Sequence, residues 1–198
     1  MLDIDLTYGH SYEVEELREI PGAGALDVPL FYIPPPRGRP EHDGLWLKFA
    51  AATGKPWVGV FAFGCTSPPA FSRVVSSPDP ERAVVIATGA GFLVKADDPS
   101  QWEEIQVRPI LDIRSAPEHG ILIFSDFTRL AAYGHKGLIW RSPKVCWDEL
   151  RIGNVTRDTI EGTGYDPTNL DESKFVVDIR TGRSLLPVPT STDGKPLW

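Results

Sequence analysis

Proline and glycine interrupt this chain too often for long helices to form. Nineteen Pro and 18 Gly are spread over 198 residues. A proline removes a backbone donor and clashes with the preceding turn, and a glycine weakens a helix interior. From Leu45 onward they bound short runs rich in Val, Ile, Phe, Trp and Tyr, the pattern of strands and turns. It predicts strands near Leu45 to Ala50, Trp57 to Phe63, Ala83 to Ala87, Phe92 to Ala96, Ile121 to Ser125, Leu130 to Tyr133 and Leu138 to Trp140. Three more follow near Glu149 to Val155, Thr159 to Gly162 and Phe175 to Ile179. Hairpin turns are expected at Thr53-Gly54, Thr88 to Gly91, Gly134 to Gly137 and Thr181-Gly182, where glycine supplies the positive φ of a tight turn.

Runs such as AVVIA and ILIF are apolar at every position, which implies burial on both faces between two layers. The fold class expected is all-β: an antiparallel β-sandwich, or a small propeller-like or barrel arrangement of hairpins. Residues 1–43 read differently, broken by Pro21, Gly22, Gly24, Pro29 and the triplet Pro34, Pro35, Pro36. They are expected to form an irregular N-terminal arm or edge segment ahead of a single all-β domain over 44–198. Two segments stay open between helix and strand. Tyr12 to Ile20 fits both periods, and Asp126 to Tyr133 also reads as a short helix with Asp126 as its N-cap and Gly134 just past its end.

Charge narrows the function classes. The chain holds 20 Lys and Arg against 27 Asp and Glu, a formal net charge of −7. Non-specific nucleic-acid binding needs a basic footprint, and no stretch concentrates Lys or Arg on one segment, so no nucleic-acid partner is expected. The acidic start MLDIDLTYGH lacks the basic and apolar regions of a signal peptide, and no run reaches the ~18 apolar residues of a membrane span. No membrane partner and a cytoplasmic location are therefore expected. Cys65 and Cys146 lack paired metal or redox spacing and read as reduced, buried thiols.

Two stretches share an order of elements: SSPDPERAVVIATGAGFLVKADDPSQWEEI and SAPEHGILIFSDFTRLAAYGHKGLIWRSPKVCWDEL. Pro78 and Pro117 stand 39 residues apart and Trp102 and Trp147 stand 45 apart, near the ~40–50-residue period of propeller blades. The strings Gly137-Leu-Ile-Trp-Arg141 and Phe175-Val-Val-Asp-Ile-Arg-Thr-Gly182 are similar to quinoprotein-type and other β-propeller repeats. They depart from the tryptophan-aspartate type, since Gly134-His135 precedes Trp147-Asp148 by only 13 positions. The longer string SDFTRLAAYGHKGLIWRSPKVCWDELRI, with DTIEGTGYDP and FVVDIRTGRS after it, resembles a widespread family of uncharacterised bacterial proteins over roughly residues 56–186. That resemblance implies a bacterial origin and a compact β protein, and it carries no activity or site residue.

Chemistry has few candidates. Asp126, Arg129 and His135 form the most polar cluster and would supply a base, an electrophile and an acid if they converged. Tyr133, Trp140 and Arg141 lie close by in sequence as candidate ligand-binding residues. Cys65-Thr66-Ser67 lacks a nucleophile elbow, and Thr88-Gly89-Ala90-Gly91 precedes a strand instead of a phosphate-binding helix. Asp166, Asn169, Asp171 and Glu172 lack the calcium-loop spacing. Neither a metal nor a cofactor is expected. Six Trp, at 46, 57, 102, 140, 147 and 198, suit a β core, and several on one rim would suggest a peptide or carbohydrate groove. The reading is a non-enzymatic binding or interaction module whose partner is another protein. The alternatives are a small-molecule hydrolase using Asp126, Arg129 and His135, and a lectin-like ligand-binding domain.

Overall fold

The computed structural model describes residues 2–18, 27–38, 43–64, 71–167 and 171–187. The chain is all-β, built of small, mostly antiparallel sheets that fit a sandwich or propeller-like arrangement of hairpins. It divides into two compact units, Met1–Ile110 and Leu111–Trp198. Among the described residues no helix is long and apolar enough to cross a membrane.

The first unit has two sheets. One runs β1 (Asp3–Asp5), β6 (Arg73–Ser76), β7 (Arg82–Ala87), β8 (Ala90–Lys95), β9 (Asp98–Glu104), with β1 parallel to β6 and the rest antiparallel. The other is ordered β2 (Tyr12–Glu16), β4 (Gly44–Ala51), β5 (Trp57–Ala62), β3 (Leu30–Ile33). Strand β4 shows why they pack: Leu45, Leu47 and Phe49 alternate with half-buried Gly44, Trp46 and Lys48, so one face is apolar. That face meets Val85, Phe92 and Val94 of the first sheet in a single core. Phe49 stacks on Trp57 at 4.7 Å and 12°, and Phe61 meets Phe92 at 5.9 Å. The Trp57 indole donates to the Ala96 carbonyl at 2.7 Å, which satisfies its buried N–H.

The second unit repeats the plan. Strands β10 (Asp112–Ala116), β11 (Ile121–Ser125), β12 (Leu130–Gly134) and β13 (Gly137–Arg141) form an antiparallel meander, and β14 (Asp148–Val155), β15 (Thr159–Asp166) and β16 (Asp171–Asp178) a second. Ile121, Ile123, Leu130, Ala132 and Trp140 pack with Leu150, Ile152, Ile160, Phe175 and Val177. The other face of the first meander is apolar too, with Phe124 and Tyr133 edge to face at 5.3 Å. The two similar stretches of sequence fold alike in part: the first, from Ser76, holds β7 to β9, and the second, from Ser115, holds β11 to β13, each a run of three antiparallel strands.

The sequence-derived strands all appear, with ends shifted by a few residues. Tyr12–Glu16 is a strand, held by its ladder to β4. The helix reading of Asp126 to Tyr133 is corrected: 130–134 is a strand between β11 and β13, and Asp126 caps a turn. Strands β1, β3, β6, β9 and β10 had no clear signal. Residues 1–43, expected as an arm or edge, supply β1, β2 and β3, each at the edge of its sheet. The Thr181-Gly182 turn is real: Asp178 Oδ1 accepts from Thr181 Oγ1 and from the Arg180 and Thr181 amides. Those bonds, the Thr181 hydroxyl first, hold its carboxyl below the usual range.

Phe49→Ala removes a ring from between Tyr12, Trp57 and Phe61. Urea unfolding followed by tryptophan fluorescence should show a loss of about 3–5 kcal/mol.

Candidate functional site

The turn between β11 and β12 consumes its own polar groups. Asp126 Oδ1 accepts from the Thr128 and Arg129 amides at 2.7 and 2.8 Å and from Thr128 Oγ1 at 3.2 Å, and its own N–H reaches the Arg129 carbonyl. This is the local bonding that makes Asp a turn residue. Phe127, at the tip, is left 41% exposed.

Residues 142–150 are laced to this turn. Ser142 N donates to Leu130 O, Val145 N to Thr128 O and Leu150 N to Phe127 O, at 2.8–3.1 Å. Leu130 N returns a bond to Ser142 Oγ. The Cys146 thiol is fully buried and points at Phe127 O, 3.6 Å away. It lies on Gly164, where any Cβ would sit 2.3 Å from that of Cys146. Burial, then the Asp148 and Asp126 carboxylates, push its pKa up to about 12. Trp147, next in the chain, is 45% exposed with Lys144 Nζ 4.6 Å from its ring centroid. The following bulge holds Glu149 at φ +53°, a left-handed conformation that costs a non-glycine residue energy.

The sequence candidates divide between structural roles. Asp126 and Arg129 flank one end of β12 while His135 sits in the two-residue hairpin loop at the other, roughly 15 Å away at ~3.3 Å per residue. The structure does not bring the three together. Tyr133 is buried against Phe124 on one face of the sheet. Trp140 is buried on the other face and donates from Nε1 to the Ile179 carbonyl at 2.9 Å. Arg141 is exposed opposite Ala131. Cys65-Thr66-Ser67 and Asn169 lie outside the described residues. Asp166 is buried, and Glu172 stands 3.5 Å from Arg151. Of the tryptophans, Trp57 and Trp140 are buried, Trp102 packs on the first core, Trp46 is half-buried, Trp147 is exposed, and Trp198 lies outside the described residues.

A cleft of about 240 Å³ beside Ser115, Glu118, His119 and Arg157 offers no nucleophile paired with a base, because His119 Nε2 already meets Arg157 O at 2.6 Å. The exposed residues Phe127, Leu138 and Ile139 escaped sequence reasoning, which weighed Trp147 only as one of six tryptophans. A signal for them was present: residues 127–147 contain Arg129, Lys136, Arg141 and Lys144 and not one Asp or Glu. The whole-chain charge count concealed that segment, and the expectation that no stretch concentrates Lys or Arg is corrected here.

No family model matches the chain, and no curated protein matches it. Among solved structures it is similar to the crystal structure of the N-terminal domain of Nup159, at 10% identity and a TM-score of 0.36, over all of this chain and 56% of that one. A superposition this loose bears on neither fold nor function. The chain spans little more than half the length of that neighbour.

Three outcomes follow from this geometry. Iodoacetamide at pH 8 should leave the Cys146 peptide unlabelled in the native protein and label it in urea, as read by mass spectrometry. The same thiol stabilises the fold fully below its unfolded pKa of about 8.5 and loses that contribution as pH climbs toward 12, so the urea midpoint should fall over that window, less so in Cys146→Ala. Glu149→Gly relieves the left-handed strain at the cost of an exposed ion pair to Arg151 and should raise stability by about 1 kcal/mol.

Proposed function

We propose that this chain is a binding module that docks another protein through the second unit, on the surface that carries Phe127 and Trp147. The observation that carries the reading is that these two large aromatic side chains stand 41% and 45% exposed on backbone segments fixed to each other by hydrogen bonds. Aromatic side chains of this kind anchor protein interfaces, because they offer much contact area for little loss of side-chain freedom. A rigid scaffold beneath them lowers the ordering cost of binding. Four more exposed aliphatics belong to the same unit: Leu138, Ile139, Leu185 and Leu186. The polar groups nearby favour this over chemistry, since Asp126 is spent on turn amides and His135 stands at the far end of β12.

Selection from a random peptide display library against the whole chain tests the reading, with the double variant Phe127→Ala, Trp147→Ala as counter-target. Peptides should enrich on the native protein and lose at least about tenfold in affinity for the variant, equivalent to 1.4 kcal/mol. The variant's thermal midpoint should stay within a few degrees of native, since neither ring belongs to a core cluster. Failure to enrich any peptide, or peptides indifferent to the double variant, would overturn the proposal. So would a glycan-array hit that quenches Trp147 fluorescence, which would put a sugar in its place.

A further inference from the structure

Free sheet edges are templates for another strand, and proteins usually guard them with charge. Here the edge strands β1, β2, β9, β10 and β14 carry Asp3 and Asp5, Glu13 and Glu15, Glu103 and Glu104, Asp112 and Arg114, and Glu149 and Arg151. Edge strand β16 carries Glu172, Lys174 and Asp178, and edge strand β3, LFYI, carries no charge and exposes Phe31, while β13 alone among these edges exposes two adjacent aliphatics beside its one charge, Arg141. Among the described residues it is hydrogen-bonded on one side only, to β12. Its exposed side chains are two adjacent aliphatics, Leu138 at 49% and Ile139 at 55% exposure, placed side by side by a bulge opposite Ala132 and Tyr133, and Arg141 at its end. It is also a firm edge, since Trp140 ties it to the Ile179 carbonyl and its ring lies on Gly182, where a Cβ would come within 2.4 Å.

Charge decides what can lie along it. Lys136 and Arg141 bracket the strand, Arg129 and Lys144 are close in the chain, and none has an acid within ion-pair distance among the described residues. The protein as a whole is acidic, at −7. A second copy pairing antiparallel through β13 would set Arg141 near the Lys136 end of its twin, and like charges facing across a strand pair destabilise it. Nucleic acid fits poorly, because the edge offers aliphatics and backbone groups where single strands call for stacking platforms.

From this juxtaposition of a free backbone edge, two exposed aliphatics and unpaired cations at both ends, we infer that β13 accepts an extended acidic peptide segment of a partner protein as an added strand. The inference rests on the reading of the chain as a protein-binding module and names its ligand class. Backbone hydrogen bonds along Leu138 to Arg141 supply the pairing, Leu138 and Ile139 meet apolar side chains, and Lys136 and Arg141 select carboxylates near the two ends.

The probe is a fluorescein-labelled, N-acetylated octapeptide of alternating glutamate and valine, with a lysine–valine octapeptide as its counterpart. Anisotropy should show the acidic peptide binding the whole chain and the basic one not. Hydrogen exchange should slow at the amides of β13. Lys136→Glu with Arg141→Glu should cut acidic-peptide affinity about tenfold or more and admit the basic peptide. Lys136→Gln with Arg141→Gln, which preserves size, should weaken the acidic peptide if the reversal disturbs folding. Binding without β13 protection, or affinity unchanged in both variants, would overturn the inference. If display-selected peptides still required Phe127 and Trp147, the module reading would stand while the β13 inference fell. A single-stranded DNA oligonucleotide bound through Lys136 and Arg141, with no acidic-peptide binding, would overturn it in favour of nucleic acid.

Discussion

The hydrogen bonds between residues 127–130 and 142–150 determine what the second unit presents to water. Without them the β11–β12 turn would be an ordinary hairpin end and the Pro143-Lys144 segment a loose connection. With them, Phe127 and Trp147 are held on a common backbone frame, and the Cys146 side chain between them is buried on Gly164. Burial of that thiol is a packing device: fully covered and seated on Gly164, it serves as a small apolar group, and the same burial raises its pKa. Ser142 closes the other end, accepting from Leu130 N and donating to the Pro143 carbonyl. Ser142 follows directly on Arg141, the last residue of β13.

Much of the fold was legible because its central strands are buried on both faces. WVGVFA, RAVVIA and ILIFS show as apolar runs of strand length, and a run that short and that apolar has few other homes. Strands β1 and β9, reading DID and DPSQWEE, were not legible. They are edge strands whose extended form comes from pairing with β6 and β8, and their composition alone resembles turns. Asp126 misled for a physical reason. An Asp that caps a helix and an Asp that caps a β-turn bond the amides two and three residues ahead in much the same way. The decision falls to the distant partners Ser142 and Val145, which local periodicity does not contain.

The site was less legible than the fold. Tyr133 and Trp140 are candidate ligand-binding residues by their nearness in sequence to the polar cluster, yet a bulge between β12 and β13 sends them to opposite, buried faces and leaves Leu138 and Ile139 in water. A bulge of that kind is a register decision of one residue, and the sequence marks it only by Gly134 and Gly137 at the loop. The absence of acids from 127–147 is a property of sequence alone. Summing charge over the whole chain buried it, and summing by segment recovers it. In a protein that is otherwise acidic, an acid-free stretch that also holds the exposed aliphatics and aromatics is where sequence and surface agree.

The partner polypeptide proposed for this chain lies on the second unit, at Phe127 and Trp147 and along β13. Nuclear magnetic resonance cross-saturation tests that most directly, by irradiating a bound unlabelled peptide and reading attenuation at the amides of the deuterated protein. Attenuation concentrated at Phe127, Leu138 to Arg141 and Trp147 is the expected result. Attenuation centred on the first unit, or spread evenly over both units, would contradict it.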